Sequence, residues 1–367
     1  MTEEVKLLFD NTPATEEQFD LFRRITVDQG IGMVTEAELE MDMLLDDTGR
    51  WVDFDESFTQ TFSRVRIEVK VGDGDFAPLI DGPVVAQRMT MSAVPDRSTL
   101  TLVVHDDSVL LNQLDGTNVF EEMAASDIAE ILFAEAGLQP QVDAAPDAGG
   151  SLERAVVQRG TAMQLLRDLA RRHGMALRVD PGPAPGASIG VFAAIDLDGD
   201  DLPELLITGA DRNLDEIAIE FDGLRPFAAA AAMVDAGTLN VLEAEATGSS
   251  QTTLGDEATH DLVAPARVLM ARMRETASDL DAAVAAAADS ASWAYTATGE
   301  LDSAAYPAVL RPYATVPLAG AGPMSGRYLC VQVMHRIDDN AYRQQFTLRR
   351  NARSVTGGGG GLPGGVF

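Results

Sequence analysis

Near the end of the chain, apolar and polar positions alternate with period two in two consecutive runs. In the first, Tyr328, Cys330, Gln332 and Met334 alternate with Leu329, Val331, Val333 and His335. In the second, Tyr342, Gln344, Phe346 and Leu348 alternate with Arg343, Gln345, Thr347 and Arg349. Asp338-Asp339-Asn340 supplies a polar turn, so the pattern predicts a β-hairpin. The same period runs through residues 1–112. Strands are predicted at Ala37–Met43, at Val65–Val71 with its β-branched residues on one face, at Val84–Ser92 and at Thr99–Asp106. Gly, Pro and Asp turns separate them, which predicts a barrel or sandwich.

Between 113 and 186 the period becomes helical. Ser126 reads as the N-cap of a helix through Ala136, with Ile128, Ile131, Leu132 and Glu135 at helical spacing and Gly137 as the stop. The strand Leu138–Val142 follows. Thr161 and Gln164 then form a capping box, each side chain satisfying an amide at the helix start. Leu165, Leu166, Leu169 and Ala170 make the apolar stripe, Gly174 stops the helix, and Met175–Val179 reads as a strand. Helix, glycine and strand thus occur twice, predicting one small α/β domain of two similar halves that ends in a linker at Pro181–Gly186. Residues 187–355 return to β. A long helix over 262–290 interrupts them, with the stripe Leu269, Met273, Ala277, Leu280, Val284 and Ala287, and its Ala-rich face is predicted to lie against a barrel. Residues 356–367 are Gly-rich and read as a flexible tail. The fold class expected is mainly β with an α/β insert.

Length and composition then bound the function. A chain of 367 residues suits two or three domains. No apolar run approaches the ~20 residues that span a bilayer. The start, Met1-Thr2-Glu3-Glu4-Val5-Lys6, has no basic stretch leading into an apolar one, so no signal peptide is expected. The lone Cys330 reads as a small buried apolar residue, and the chain is expected to fold in a reducing cytoplasm. A formal net charge of −31 argues against direct nucleic-acid or anionic-membrane binding. Two causes of that charge stay open: a compositional bias of genome or habitat, or an acidic wall along a lumen through which cargo passes.

Several separated phrases are similar to those of the phage late control D family, the central baseplate hub proteins of contractile tails and injection machines. Phe76-Ala77-Pro78-Leu79-Ile80-Asp81-Gly82 resembles its strand–turn before a Gly-x-Val strand. Leu100 to Leu111, with Asp106, Asp107 and Ser108, resembles the end of its first barrel. Ser126-Asp127-Ile128-Ala129 and Thr161 to Gly174 resemble its two helices. Leu310-Arg311-Pro312, Ser325-Gly326-Arg327-Tyr328 and the hairpin carrying His335 and Tyr342 resemble its end. Tyr313 departs from the pattern, which expects a glycine after Arg-Pro, and so does the Ala-rich helix.

The resemblance implies two tail-tube-like β-barrel domains, 1–112 and 187–355, flanking the α/β domain 113–186. It implies a homotrimer without catalysis or cofactor, adapting a six-fold inner tail-tube protein to a three-fold spike protein that is a separate chain, amid other baseplate components. Such a protein is cytoplasmic during assembly and then part of a phage tail or injection particle. Leu362, Pro363, Val366 and Phe367 in the tail suit a short anchor on a spike or a neighbouring subunit; a tail with no role is the other reading.

One stretch carries metal-like spacing. Asp196, Asp198, Asp200 and Glu204, with Gly199 between, resemble a calcium loop of hard oxygen ligands. The helix–loop–helix version fails, because its sixth position is Asp201 and its twelfth Ile207. The shorter loop occurs once, whereas the propellers that use it repeat it. A solvated turn and a calcium-binding β-rich surface or secreted protein are the two readings. His105, His173, His260 and His335 share no ligand spacing, and no nucleophile elbow or phosphate loop is present.

Overall fold

The computed structural model describes residues 3–51, 56–94, 97–145, 155–235, 238–270, 277–338 and 341–355. The first β unit contains β1 (Glu3–Phe9), β2 (Phe22–Gly30), β3 (Glu36–Asp42), β4 (Arg64–Val71), β5 (Ala77–Thr90) and β6 (Thr99–His105). Val65, Ile67, Val69 and Val71 point into its core with Leu39 and Met41. The pattern suggests two runs where β5 is one bent strand. Its first half pairs with β4 as far as Pro83, and its second half pairs with β6 from Val84, through a bulge between Val84 and Ala86. Gly82 sits at that corner. A Cβ there would lie 1.9 Å from the His105 carbonyl oxygen, so the corner admits only glycine.

The insert contains α1 (Ala125–Glu135), β7 (Gln139–Val142), α2 (Ala162–His173), β8 (Ala176–Pro181) and β9 (Ser188–Ala193). Both helices stop at a left-handed glycine, Gly137 with φ 76° and Gly174 with φ 65°. The strands order β7–β9–β8, and Phe192 of β9 joins Phe133, Leu166 and Leu169 in the insert's core. Pro181–Gly186 is therefore the turn of a β8–β9 hairpin rather than a linker, and the insert's sheet runs on to Ala193. Proline and glycine mark a chain reversal as readily as a boundary. Ser126 is not the cap of α1. Ala124 holds the extended cap conformation, and its N–H donates to the Asp127 carboxylate at 3.4 Å. That acid also favours the positive end of the helix dipole.

The second β unit contains β10 (Ile217–Phe221), β11 (Phe227–Val234), β12 (Val241–Ala246), β13 (Ala266–Met270), α3 (Ala277–Ser292), β14 (Tyr295–Asp302), β15 (Thr315–Ala319), β16 (Gly326–Asp338) and β17 (Ala341–Arg350). The helix expected over 262–290 is shorter and later. Residues 266–270 instead form β13, parallel to the alanine-rich β11, and Leu269 is largely exposed there. Pairing with an open strand edge outweighs the helical spacing of Leu269, a weak local preference. Leu280 and Val284 of α3 pack on Ala229, Ala231 and Ala244. Met273 lies outside the described residues.

The closing hairpin is longer than its pattern. A bulge between Cys330 and Gln332 switches the inward face of β16. Tyr328 and Cys330 point inward before it, and Val333, His335 and Ile337 after it. On β17, Tyr342, Gln344, Phe346 and Leu348 stay buried throughout.

Among the described residues the largest sheet has thirteen strands, and β16 pairs with β2 to make it continuous across both β units. Its path runs β10–β14–β17–β16–β2–β3–β6–β5–β4–β1, ends on the two-residue strand Thr12–Pro13, and does not close on itself. The fold is mainly β with an α/β insert, but its β units share an edge. The hairpin's base, with Tyr328, Cys330 and Phe346, belongs to the second core, whereas Ile337 and Tyr342 near its tip belong to the first. No helix among the described residues is long and apolar enough to cross a membrane.

Candidate functional site

The sites that stand out are the junctions between the three units. Arg64 and Arg66 lie two residues apart on β4 and so share a face. Asp81, fully buried on β5, accepts from Arg64 Nε at 2.6 Å and Arg66 Nη1 at 2.9 Å. Asp107 accepts from Arg64 Nη2 at 2.6 Å and from the Ser188 hydroxyl of β9 at 2.7 Å. Arg66 also donates to the Gly182 carbonyl at 2.9 Å, and the Gly186 N–H donates to Asp81 at 2.9 Å. Burial alone would lower the Arg64 pKa, but the hydrogen bonds and charges of Asp107 and Asp81 outweigh it and hold it above its usual value. Beside this cluster Asp106 accepts from the N–H groups of Thr35 at 2.6 Å and Ser108 at 2.9 Å. Burial raises its pKa against those bonds. The resemblance names Asp81, Gly82, Asp106 and Asp107 as motif positions without bringing them together, and Arg64 and Arg66 carry no expectation from the sequence. Two arginines at i and i+2 on an otherwise alternating strand were the available signal.

At the centre of the seam between the β units the buried side chains pair without charge. His335 is fully buried on β16, with Nδ1 2.8 Å from the Tyr342 hydroxyl and Nε2 3.1 Å from Gln29 Oε1 on β2. Gln29 spends its amide N–H on the Leu79 carbonyl at 2.7 Å, so its oxygen must accept. That assigns the proton of His335 to Nε2 and makes Nδ1 the acceptor of the tyrosine hydroxyl. Burial pulls the His335 pKa down to about 3 and pushes the Tyr342 phenol well up.

Tyr313, where the resemblance expects glycine, has φ 68°, the left-handed conformation glycine adopts without strain. Its side chain touches both other units. The Arg178 guanidinium of β8 lies 4.3 Å from its ring centroid, and its hydroxyl accepts the Gly32 N–H at 3.4 Å. Arg311 and Pro312 lead into it, Arg311 exposed and Pro312 half-buried. At the hairpin base the buried Arg350 donates to the carbonyls of Leu254 at 2.8 Å and Ser325 at 2.9 Å. A Cβ on Gly326 would fall 2.3 Å from its Nη2, and the Tyr328 ring lies 5.5 Å from its guanidinium.

Within the insert, Thr161 and Gln164 form the reciprocal cap, each bond 3.2 Å. The Thr161 hydroxyl also donates to Asn112 at 2.9 Å, tying α2 to the end of the first unit. A Cβ on Gly174 would meet Ala286 at 3.3 Å, so α2 and α3 approach closely there. In the acidic loop, Asp196 accepts the Asp198 N–H at 3.0 Å, and Asp198 accepts the Thr252 hydroxyl at 3.1 Å. Asp201 is bound by Arg327 Nε at 2.9 Å. Among the described residues no three His, Cys, Asp or Glu side chains are grouped as a metal ion requires. Leu362, Pro363, Val366 and Phe367 lie outside the described residues.

No family profile matches the sequence, and no curated protein matches it either. Solved structures match along nearly the whole chain. The 43 kDa tail protein of prophage MuSo2 from Shewanella oneidensis superposes with a TM-score of 0.64 at 15% identity, covering 95% of this chain and 99% of that one. The tail protein from Neisseria meningitidis MC58 gives a TM-score of 0.60 at 13% identity over 96% and 97%. The E. coli c3393 protein is a type VI secretion component with structural similarity to the T4 bacteriophage tail proteins gp27 and gp5. It gives a TM-score of 0.53 at 9% identity over 95% of this chain and 75% of that one. At such identities the likeness is one of fold: the chain has the fold shared by phage tail and type VI secretion proteins.

Proposed function

We propose that the chain is a structural hub in the baseplate of a contractile tail or related injection system. The observation that carries this reading is the end-to-end match to whole tail proteins, covering 95% of this chain and 99% of the MuSo2 protein. In this reading the first β unit, 1–112, and the second, which follows the insert's sheet and runs to 355, are related tube-like barrels. Three chains then present six similar units to the inner tube and a three-fold face to the spike, within a ring of other baseplate components. Closed cyclic symmetry of this kind is the usual way oligomers are built. The three junctions support the reading, because an adaptor must hold its units at fixed angles while its neighbours pull on them. The acidic surplus suits a bore past which DNA or acidic cargo slides, since like charge disfavours sticking. The test is the mass and symmetry of the spike-bound protein by electron microscopy. Three copies on the spike axis are expected; a stable dimer there overturns the hub. Unrelated topologies on superposing the two β units would remove the pseudo-six-fold argument.

A further inference from the structure

A cavity of about 650 Å³ lies where the insert, α3 and the outer face of the closing hairpin meet. Its walls are largely apolar, with Ile31, Ile195, Phe227, Met270, Trp293 and Val331 among them. Three arginines also line it: the exposed Arg171 of α2, Arg225 from the turn between β10 and β11, and Arg349 from β17; the last two are partly buried. The Nε atoms of Arg225 and Arg349 are buried with no hydrogen-bond partner, and so is Oε1 of Gln251 on the same wall. Burial lowers the Arg349 pKa, and the like charge of Arg225 lowers it further. The lining carboxylate, Asp289, does not relieve them. It is occupied by the Ser249 hydroxyl at 2.8 Å and the Ser250 N–H at 2.6 Å.

This is anomalous in a chain with 58 acidic and 27 basic residues, where almost any arginine could have found a partner. Desolvated guanidinium groups cost stability unless something compensates them. The compensation this geometry lacks is an anion, and the group that matches paired guanidinium donors is a carboxylate. The walls ask for an apolar body, and the volume lies within the roughly 300–1,000 Å³ of ordinary small-molecule sites.

We propose that this cavity binds a small apolar carboxylate, its acid group between Arg225 and Arg349 and its apolar body against Phe227, Met270 and Trp293. The site is independent of the hub reading and would exist in a free monomer. Octanoate, octanol and inorganic phosphate serve as probes on the intact chain. Binding is read by calorimetry and by the fluorescence of Trp293 in a Trp51→Phe background. Octanoate should bind saturably, at least tenfold more tightly than octanol or phosphate. Arg349→Gln should weaken it at least tenfold while melting no lower than the parent, because it removes a partly desolvated guanidinium whose buried Nε has no hydrogen-bond partner. Should that variant fail to fold, Arg225→Gln takes its place with the same expected loss. Equal binding of octanoate and octanol reduces the site to a greasy hole and overturns the proposal. So do phosphate binding as tight as octanoate, octanoate binding unchanged in the variant, or no saturation at millimolar octanoate.

Discussion

Where the first β unit meets the insert, Arg64 and Arg66 are held between Asp81 and Asp107, and further bonds come from Ser188, Gly182 and Gly186. Where the insert meets α3 and the hairpin, Arg225 and Arg349 face a cavity with their buried nitrogens unpartnered. Both are arginine pairs at a contact between units, in the same acid-rich chain. The first pair is finished within the fold, its charges answered by Asp81 on a strand and Asp107 at the start of a short 3-10 helix. The second is unfinished, and the difference teaches where this molecule is complete and where it waits for something. A buried pair contributes little net stability over an apolar replacement, but breaking one is costly. The two sites should therefore respond to mutation in opposite directions.

The largest effect is expected at the finished pair. Asp81→Ala would remove the buried carboxylate that Arg64 and Arg66 share, leaving Arg64 with Asp107 and Arg66 with Glu68 at 2.7 Å. The loss should be about 3–5 kcal/mol in denaturant unfolding. A loss below about 1 kcal/mol would show that Asp107 and Glu68 suffice for the two arginines, and the contrast between the sites would collapse.

The neutral seam adds a third case. The folded pKa of His335, at about 3, lies below its ordinary 6.5, so its contribution is intact above pH 6.5 and declines as pH falls towards 3. In that window the unfolded chain takes a proton the folded one refuses, a slope of up to ~1.4 kcal/mol per pH unit. Asp106, raised by burial, acts with the opposite sign and favours the folded state in acid. The difference in unfolding free energy between the parent and His335→Gln, followed from pH 7 to 4, isolates the histidine. A flat difference curve would mean that water reaches the seam.

Tyr313→Gly should have a smaller effect because two contributions oppose. Relief of the left-handed backbone restores about 1 kcal/mol. Loss of the Arg178 stacking and of the buried ring removes about 2–3 kcal/mol. A net loss of about 1–2 kcal/mol is expected; a more stable variant would mean that the side chain is tolerated rather than used. Smallest of all, Arg349→Gln should shift stability by less than about 0.5 kcal/mol, or raise it. A drop like that of Asp81→Ala would show that the second pair is finished after all.

Much of the fold was legible because burial writes itself into alternation. Val65 to Val71 on β4 and Tyr342 to Leu348 on β17 read correctly, as did the glycine-stopped helices at Gly137 and Gly174. The misreadings have local causes. A bulge adds a residue without leaving a compositional mark, so the inward face of β16 switched unseen at Cys330/Gln332. β13 carries apolar residues at helical spacing and becomes a strand only because β11 offers it an edge. The arginine pairs were the hardest to read. A charged residue on the alternate face of a strand looks solvated, and the arrival of the β8–β9 turn at Gly182 is what covers the buried Arg66. What brings Arg225 and Arg349 together is likewise long-range packing.

The hairpin that serves two cores has a consequence for synthesis. Strand β2 is made within the first thirty residues, yet its partner β16 lies some three hundred residues later; Asp28 waits for Gln332. The first unit's core also waits for Ile337 and Tyr342. On the ribosome that unit emerges early but stays unsealed, with the edge of β2 bare, until the hairpin has been made. Pairings this distant in sequence form slowly, and a bare edge invites strands from other nascent chains. The C-terminal hairpin thus acts as the closing clasp of the N-terminal half, and a ribosome that stops short of it releases a sticky fragment rather than a smaller folded domain.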